Sequence, residues 1–86
     1  MRNRIANLLY RVAQLELIQG LQGQDFSGQT LSGKNFRNTD LRGVNFSDAT
    51  LEKANLSHAN LKDANLSSAD LESARLISAT LYFANL

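Results

Sequence analysis

From Phe26 onward a large apolar residue stands at every fifth position: Phe26, Leu31, Phe36, Leu41, Phe46, Leu51, Leu56, Leu61, Leu66, Leu71, Leu76, Leu81 and Leu86. Neither regular element accommodates that period. On an α-helix, at roughly 100° per residue, five steps advance a side chain by about 140°, which spreads the apolar residues over every face. On a flat strand, side chains alternate, so an odd spacing sends successive leucines to opposite sides. A chain that turns once per repeat brings them all to one interior. Gly28, Gly33 and Gly43, two residues after the apolar centre and with Asn, Asp and Ser nearby, supply turn formers at the required place. The pattern predicts an all-β solenoid, a coil wrapped around a column of leucines. Leu21 falls in the same phase and reads as a degenerate first repeat.

The flanking positions repeat as well. Two residues before the centre stand Ala49, Ala54, Ala59, Ala64, Ala69, Ala74, Ala79 and Ala84, and one before it Asn, Asp or Thr predominates, with Arg75 as the exception. A lag of 20 residues aligns like with like: Ser27, Ser47 and Ser67; Glu52 and Glu72; Arg42 and Lys62. Four repeats per coil therefore fit best. The tandem motif Ala54-Asn55-Leu56-Ser57-His58, Ala59-Asn60-Leu61-Lys62-Asp63, Ala64-Asn65-Leu66-Ser67-Ser68 resembles the pentapeptide repeat family, over residues 24–86 or so. That resemblance implies a right-handed quadrilateral β-helix with four pentapeptides per coil, the central Leu or Phe and the small residue two before it both pointing inward. The chain would make about three coils, a prism about 15 Å tall at ~4.8 Å per stacked strand. It also implies a bacterial, especially cyanobacterial, origin. Gln24, Gln29, Lys34, Thr39 and Val44 depart from the family pattern, standing where alanine belongs, so the first coil should be wider or less regular.

Residues 1–20 follow a different rule. Ile5, Leu8, Leu9, Val12 and Leu15 recur at helical spacing with Arg4, Arg11, Gln14 and Glu16 between them, and Gly20 and Gly23 give stops. We expect an amphipathic helix over residues 2–18 lying across the open first coil as an N-terminal α-helical cap, because a solenoid exposes its core at each end. The chain then divides into a capping segment, 1–20, and a β-helix, 21–86. Neither a signal peptide nor an apolar stretch of membrane-spanning length is evident, so the expected location is cytoplasmic.

Composition removes most chemistry. The 86 residues contain no cysteine and one histidine, which leaves no disulfide, no thiolate metal site and no multi-histidine site within one chain. His58 has Asn38 and Ser78 as its expected stacked neighbours, and no carboxylate is placed to orient it. The carboxylates sit mainly on outward positions with cations interleaved, without a focus for acid–base work. We therefore expect no enzyme activity, no metal, no cofactor and no small-molecule substrate. Asn45, Asn55 and Asn65 each open an N-x-S triplet, a by-product of the repeat without a secretory signal.

What remains is surface. In the four-sided register, Ser32, Glu52 and Glu72 stack on one face, and Arg42, Lys62 and Tyr82 on the opposite one. The latter column, with Arg37 nearby, is the candidate basic face for polar contact. At the far end, Ile77, Tyr82 and Phe83 replace small polar exterior residues, and the sequence stops at Leu86 in mid-repeat. Burial of one leucine is worth roughly 1.5–3 kcal/mol, so an uncovered layer calls for a partner. Ile77, Tyr82, Phe83 and Leu86 are the candidate interface. Three readings stay open: an end-to-end homodimer, which the resemblance favours, docking on another protein, or continuation of the solenoid beyond Leu86. The expected function is a non-catalytic structural and protein–protein interaction module, a rigid solenoid with flat faces and an open apolar end. The resemblance also suggests an alternative, a DNA-mimicking gyrase-binding protein of the quinolone-protection type. Residues 24–86 carry seven acidic and six basic side chains, a net of −1 that poorly imitates a phosphate backbone. The overall charge of +1 likewise gives no basic surface for nucleic acid, and a membrane partner has no apolar span to serve it.

Overall fold

The computed structural model describes residues 20–86. The helix expected over residues 2–18, with Ile5, Leu8, Leu9, Val12 and Leu15, lies outside the described residues.

Each repeat is one side of a coil, and its five backbone N–H groups have three kinds of partner. The residue three after the centre closes a turn onto the central carbonyl, as Ala49 N–H does to the Phe46 oxygen at 3.0 Å. The residue two after the centre has positive φ at every repeat from Gly23 to Phe83, between 56° and 70°, as a type II turn demands at its third position. Three N–H groups then form the ladder between coils, for example Phe46 to the Asn65 oxygen at 2.7 Å, Asp48 to Ser67 at 2.9 Å and Asn65 to Val44 at 2.9 Å. The fifth, just after the centre, is taken by the side chain just before it: Asn45 Oδ1 accepts from Ser47 N–H at 2.9 Å, and Asn55 and Asn65 accept from Ser57 and Ser67 at 3.0 Å. A short polar side chain is what can reach its own backbone two residues on, so Asn and Asp serve there. Asp25, Asp40 and Asp70 do the same for Ser27, Arg42 and Glu72.

Parallel bridges join residues twenty apart, Asp25 to Asn45, Asn45 to Asn65, Asn65 to Asn85 and so on around all four sides. The sides are too short to form longer strands; each pairs through a single bridge between turns. Taking four repeats per coil, residues 21–40 form the first coil, 41–60 the second and 61–80 the third, and 81–86 open a further one. We call residues 67–86, on which nothing is stacked among the described residues, the final layer.

The core is the column of centres. Leu41, Phe46, Leu51, Leu56 and Leu61 are fully enclosed, with Val44, Ala49, Ala54, Ala59 and Ala64 packed beside them. Towards both ends burial falls: Phe26 and Leu31 on one side, Leu71, Leu76 and Leu81 on the other, are half-buried against the cluster. Phenylalanine supplies much of the core near the entry: the Phe46 ring lies 5.6 Å from Phe26 in a near-parallel stack and 5.7 Å from Phe36 in a tilted one. The turns differ slightly along the chain. The turns closed by Gln24, Gln29, Lys34, Thr39 and Val44 span 3.2 Å, whereas those closed by alanine span 2.9–3.1 Å. The ladder is undisturbed, because the long polar chains of Gln24, Gln29 and Lys34 are exposed at the coil edge rather than buried.

Candidate interaction surfaces

The 20-residue register carries the outward residues into columns, as the ladder bonds from Gly23 to Arg42, Gly43 to Lys62 and Asp63 to Tyr82 show for one face. Gln22, Arg42, Lys62 and Tyr82 therefore stack there. Arg42, however, does not face solvent as an uncommitted cation. Its Nε and Nη2 both reach Asp40, at 2.9 and 2.8 Å, and Gln22 Nε2 donates a further bond to the same carboxylate at 2.6 Å. The guanidinium beside it holds the Asp40 carboxyl down to about 2, and the carboxylate raises Arg42 in turn. The candidate basic face is thus neutralised at its centre, leaving Lys62 as its cation and Arg37 on the neighbouring side. The signal was in the sequence: residues just before and just after a centre are two apart and share the outer face, so Asp40 and Arg42 are placed to pair. Near the entry, the Ser27 hydroxyl and N–H together hold the Asp25 carboxyl below the usual range.

Ser32, Glu52 and Glu72 stack on the opposite face, tied by the bonds from Gly33 N–H to the Glu52 oxygen and from Lys53 N–H to the Glu72 oxygen, both 2.8 Å. His58 lies on a turn at a φ of 60°, exposed, its N–H bonded to the Ile77 oxygen. Among the described residues no group of three His, Cys, Asp or Glu side chains could hold a metal ion.

The residues singled out at the far end are all exposed. The large hydrophobic side chains most exposed in the described part are Ile77, Tyr82, Phe83 and Leu86, at 64%, 70%, 80% and 72%, and all belong to the final layer. Beneath them Leu71, Leu76 and Leu81 are only half-buried. Tyr82 and Phe83 form an aromatic pair, ring centres 6.1 Å apart. Phe83 bears a second cost that the sequence did not announce. It occupies the left-handed turn position with a φ of 56°, where the other non-glycines are Asn38, Asp48, Lys53, His58, Asp63, Ser68, Ser73 and Ser78. A left-handed backbone costs a residue with a side chain roughly 1–2 kcal/mol, least for Asn and Asp, which can bond locally. The chain therefore accepts backbone strain to hold a phenyl ring in water.

The repeat is also recognised as such. The family model for pentapeptide repeats matches residues 21–57 and 54–86, in eight copies. The chain belongs to the pentapeptide repeat family. Among solved structures, this pentapeptide repeat chain is similar to HetL, a pentapeptide repeat protein involved in heterocyst differentiation regulation, from the cyanobacterium Nostoc sp. strain PCC 7120. The two are 29% identical, with a TM-score of 0.42 over 77% of this chain. The match spans 38% of HetL's length. Among curated protein sequences none matches the chain significantly.

Proposed function

We propose that this chain is a non-catalytic interaction module: a right-handed quadrilateral solenoid of about three coils, capped at its first coil by residues 2–18 and acting in the cytoplasm. It associates with a second copy, or docks on another protein, through its final layer. The observation that carries this reading is the exposure of Ile77, Tyr82, Phe83 and Leu86, all in the final layer and each more than three-fifths exposed, while the outer columns elsewhere are polar. An apolar cluster of that kind is what interaction surfaces are made of. The internal pairing of Arg42 with Asp40, together with the balanced charge of residues 24–86, supports a protein partner over nucleic acid. No helix among the described residues is long and apolar enough to cross a membrane.

The test is the mass in solution across a concentration series, for the protein and for Phe83→Asp. Aspartate suits the left-handed turn better than phenylalanine, so the variant keeps the fold. A species heavier than a monomer that Phe83→Asp reduces to a monomer supports the reading. A protein that is monomeric throughout and captures no protein partner refutes it.

A further inference from the structure

Building on the reading of this chain as an interaction module, we infer that Arg75 and the Ile77 N–H receive a carboxylate from an acidic segment of the partner protein. The ground is a gap in a pattern that the chain otherwise fills for itself. At eight repeats, from Asp25 to Asp70, an Asn or Asp just before the centre accepts the N–H just after it. In the repeat centred on Leu76 that position is Arg75, whose side chain carries donors only. The Ile77 N–H accordingly has no acceptor among the described residues. Stacking of coils neither provides nor removes one: in the enclosed middle coil the equivalent N–H, that of Ser57, bonds to Asn55 and takes no part in the ladder. Thr30, Thr50 and Thr80 also leave the N–H two residues on without an acceptor, but only Arg75 puts a cation in the acceptor's place.

The backbone there is held in position. Arg75 N–H bonds the Ala54 oxygen at 2.9 Å, its carbonyl accepts from Leu56 at 2.7 Å, and the Ile77 carbonyl accepts from His58 at 2.8 Å. The molecule already shows one carboxylate satisfying such a pair of donors. Asp40 accepts the Arg42 N–H at 3.2 Å and the Arg42 guanidinium at 2.9 and 2.8 Å. At Arg75 the donors are present and the acid is not, since Arg75 makes no ion pair among the described residues. Nor does its own side of the solenoid offer one. Repeats 34–38, 54–58 and 74–78 carry Lys34, Arg37 and Arg75 and no Asp or Glu, whereas each of the other three sides has at least two carboxylates. A carboxylate from outside accepts both donors at once through charge-assisted bonds. One exposed ion pair contributes little alone. Ile77, 64% exposed, and Arg37, two coils below it in the same outer column, add apolar and further cationic contact. The fitting partner segment therefore carries an Asp or Glu beside an apolar residue.

The experiment follows backbone amide resonances of the full-length protein by NMR while a blocked tetraglutamate peptide is added. The Ile77 amide should move downfield and saturate, and the Ser57 amide, already bonded to Asn55, should stay in place. The matching tetraglutamine peptide should move neither. Arg75→Asn returns the acceptor to the chain, as Asn55 does one coil below, so it keeps the fold and should lose the response. Arg75→Ala leaves the N–H unbonded and should bind the peptide about tenfold or more weakly. A response at Ile77 that survives Arg75→Asn, or equal responses at Ser32 and Tyr82, overturns the assignment. So does a shift produced by inorganic phosphate and not by the peptide. If Ile77 stays still while Phe83→Asp reduces a heavier species to a monomer, the carboxylate site is wrong and the interaction module stands.

Discussion

The first and last coils are built from the same five-residue side, yet they meet water in different ways. At the entry, the position two before the core residue carries Gln24, Gln29 and Lys34, which are exposed, and aromatic rings stack in the interior. At the far end that position is alanine throughout, and the apolar bulk has moved outside, to Ile77, Tyr82 and Phe83. One end has polar side chains in place to blunt the exposed core. The other holds exposed apolar side chains, with Phe83 in a left-handed turn at a φ of 56°. The same repeat thus places its polar and its apolar bulk differently in the two regions.

Replacing a core leucine should separate interior from end most sharply. Leu61→Lys buries an unpaired ammonium in a fully enclosed site, which costs several kcal/mol and should abolish the cooperative thermal transition. Leu86→Lys, at a site 72% exposed, should leave the monomer's melting curve nearly unchanged. A folded Leu61→Lys protein would overturn the inward column. Next in size is the aromatic entry: Phe46→Ala removes the ring that both Phe26 and Phe36 contact and should cost about 3–5 kcal/mol in denaturant titration.

The turns invert the comparison. Gly28 has a φ of 69°, and no atom lies within 4 Å of the place an added methyl would take. Gly28→Ala should therefore cost about 1 kcal/mol through backbone strain alone. Phe83→Asn should do the opposite, raising stability by up to about 1 kcal/mol, or a few degrees in melting temperature, when measured dilute enough to be monomeric. If both changes destabilise, the strain assigned to Phe83 is wrong. The smallest effect belongs to the Asp40–Arg42 pair. The folded carboxyl titrates at about 2, below its ordinary 3.8, so its contribution is complete above about pH 4 and is lost as pH falls through 2. Asp40→Asn keeps the turn, as Asn60 does in the same column, and removes only the ion pair. It should flatten that acid limb and cost less than about 1 kcal/mol at neutral pH.

Much of this architecture was legible because a five-residue period has few solutions. The inward column, the twenty-residue register and the exposed cluster at Ile77, Tyr82, Phe83 and Leu86 all follow from spacing. The role of Asn and Asp before each centre did not, because their frequency says nothing about which backbone group they bind; the bonds from Ser47 to Asn45 and from Ser57 to Asn55 supply that. The basic column differs for a related reason. The run of Arg42, Lys62 and Tyr82 down the face omits Asp40 across it, and a spacing of two residues is what lets that carboxylate meet the guanidinium. The penalty at Phe83 was hidden because glycine gave way to Asn, Asp, Lys, His and Ser at that position, and so masked its backbone requirement.

The twenty-residue register also governs how this chain can tolerate insertions and deletions. Because every bridge joins residues twenty apart, adding or losing one repeat inside the solenoid keeps the leucines inward while shifting all later columns by one side. Lys62 would then leave the face of Arg42, and Ile77 and Tyr82 would turn to new directions relative to the entry. Only a change of four repeats restores the original alignment. Length variation is thus nearly neutral for folding and abrupt for surface pattern, which lets such a chain acquire new faces without passing through an unfolded ancestor.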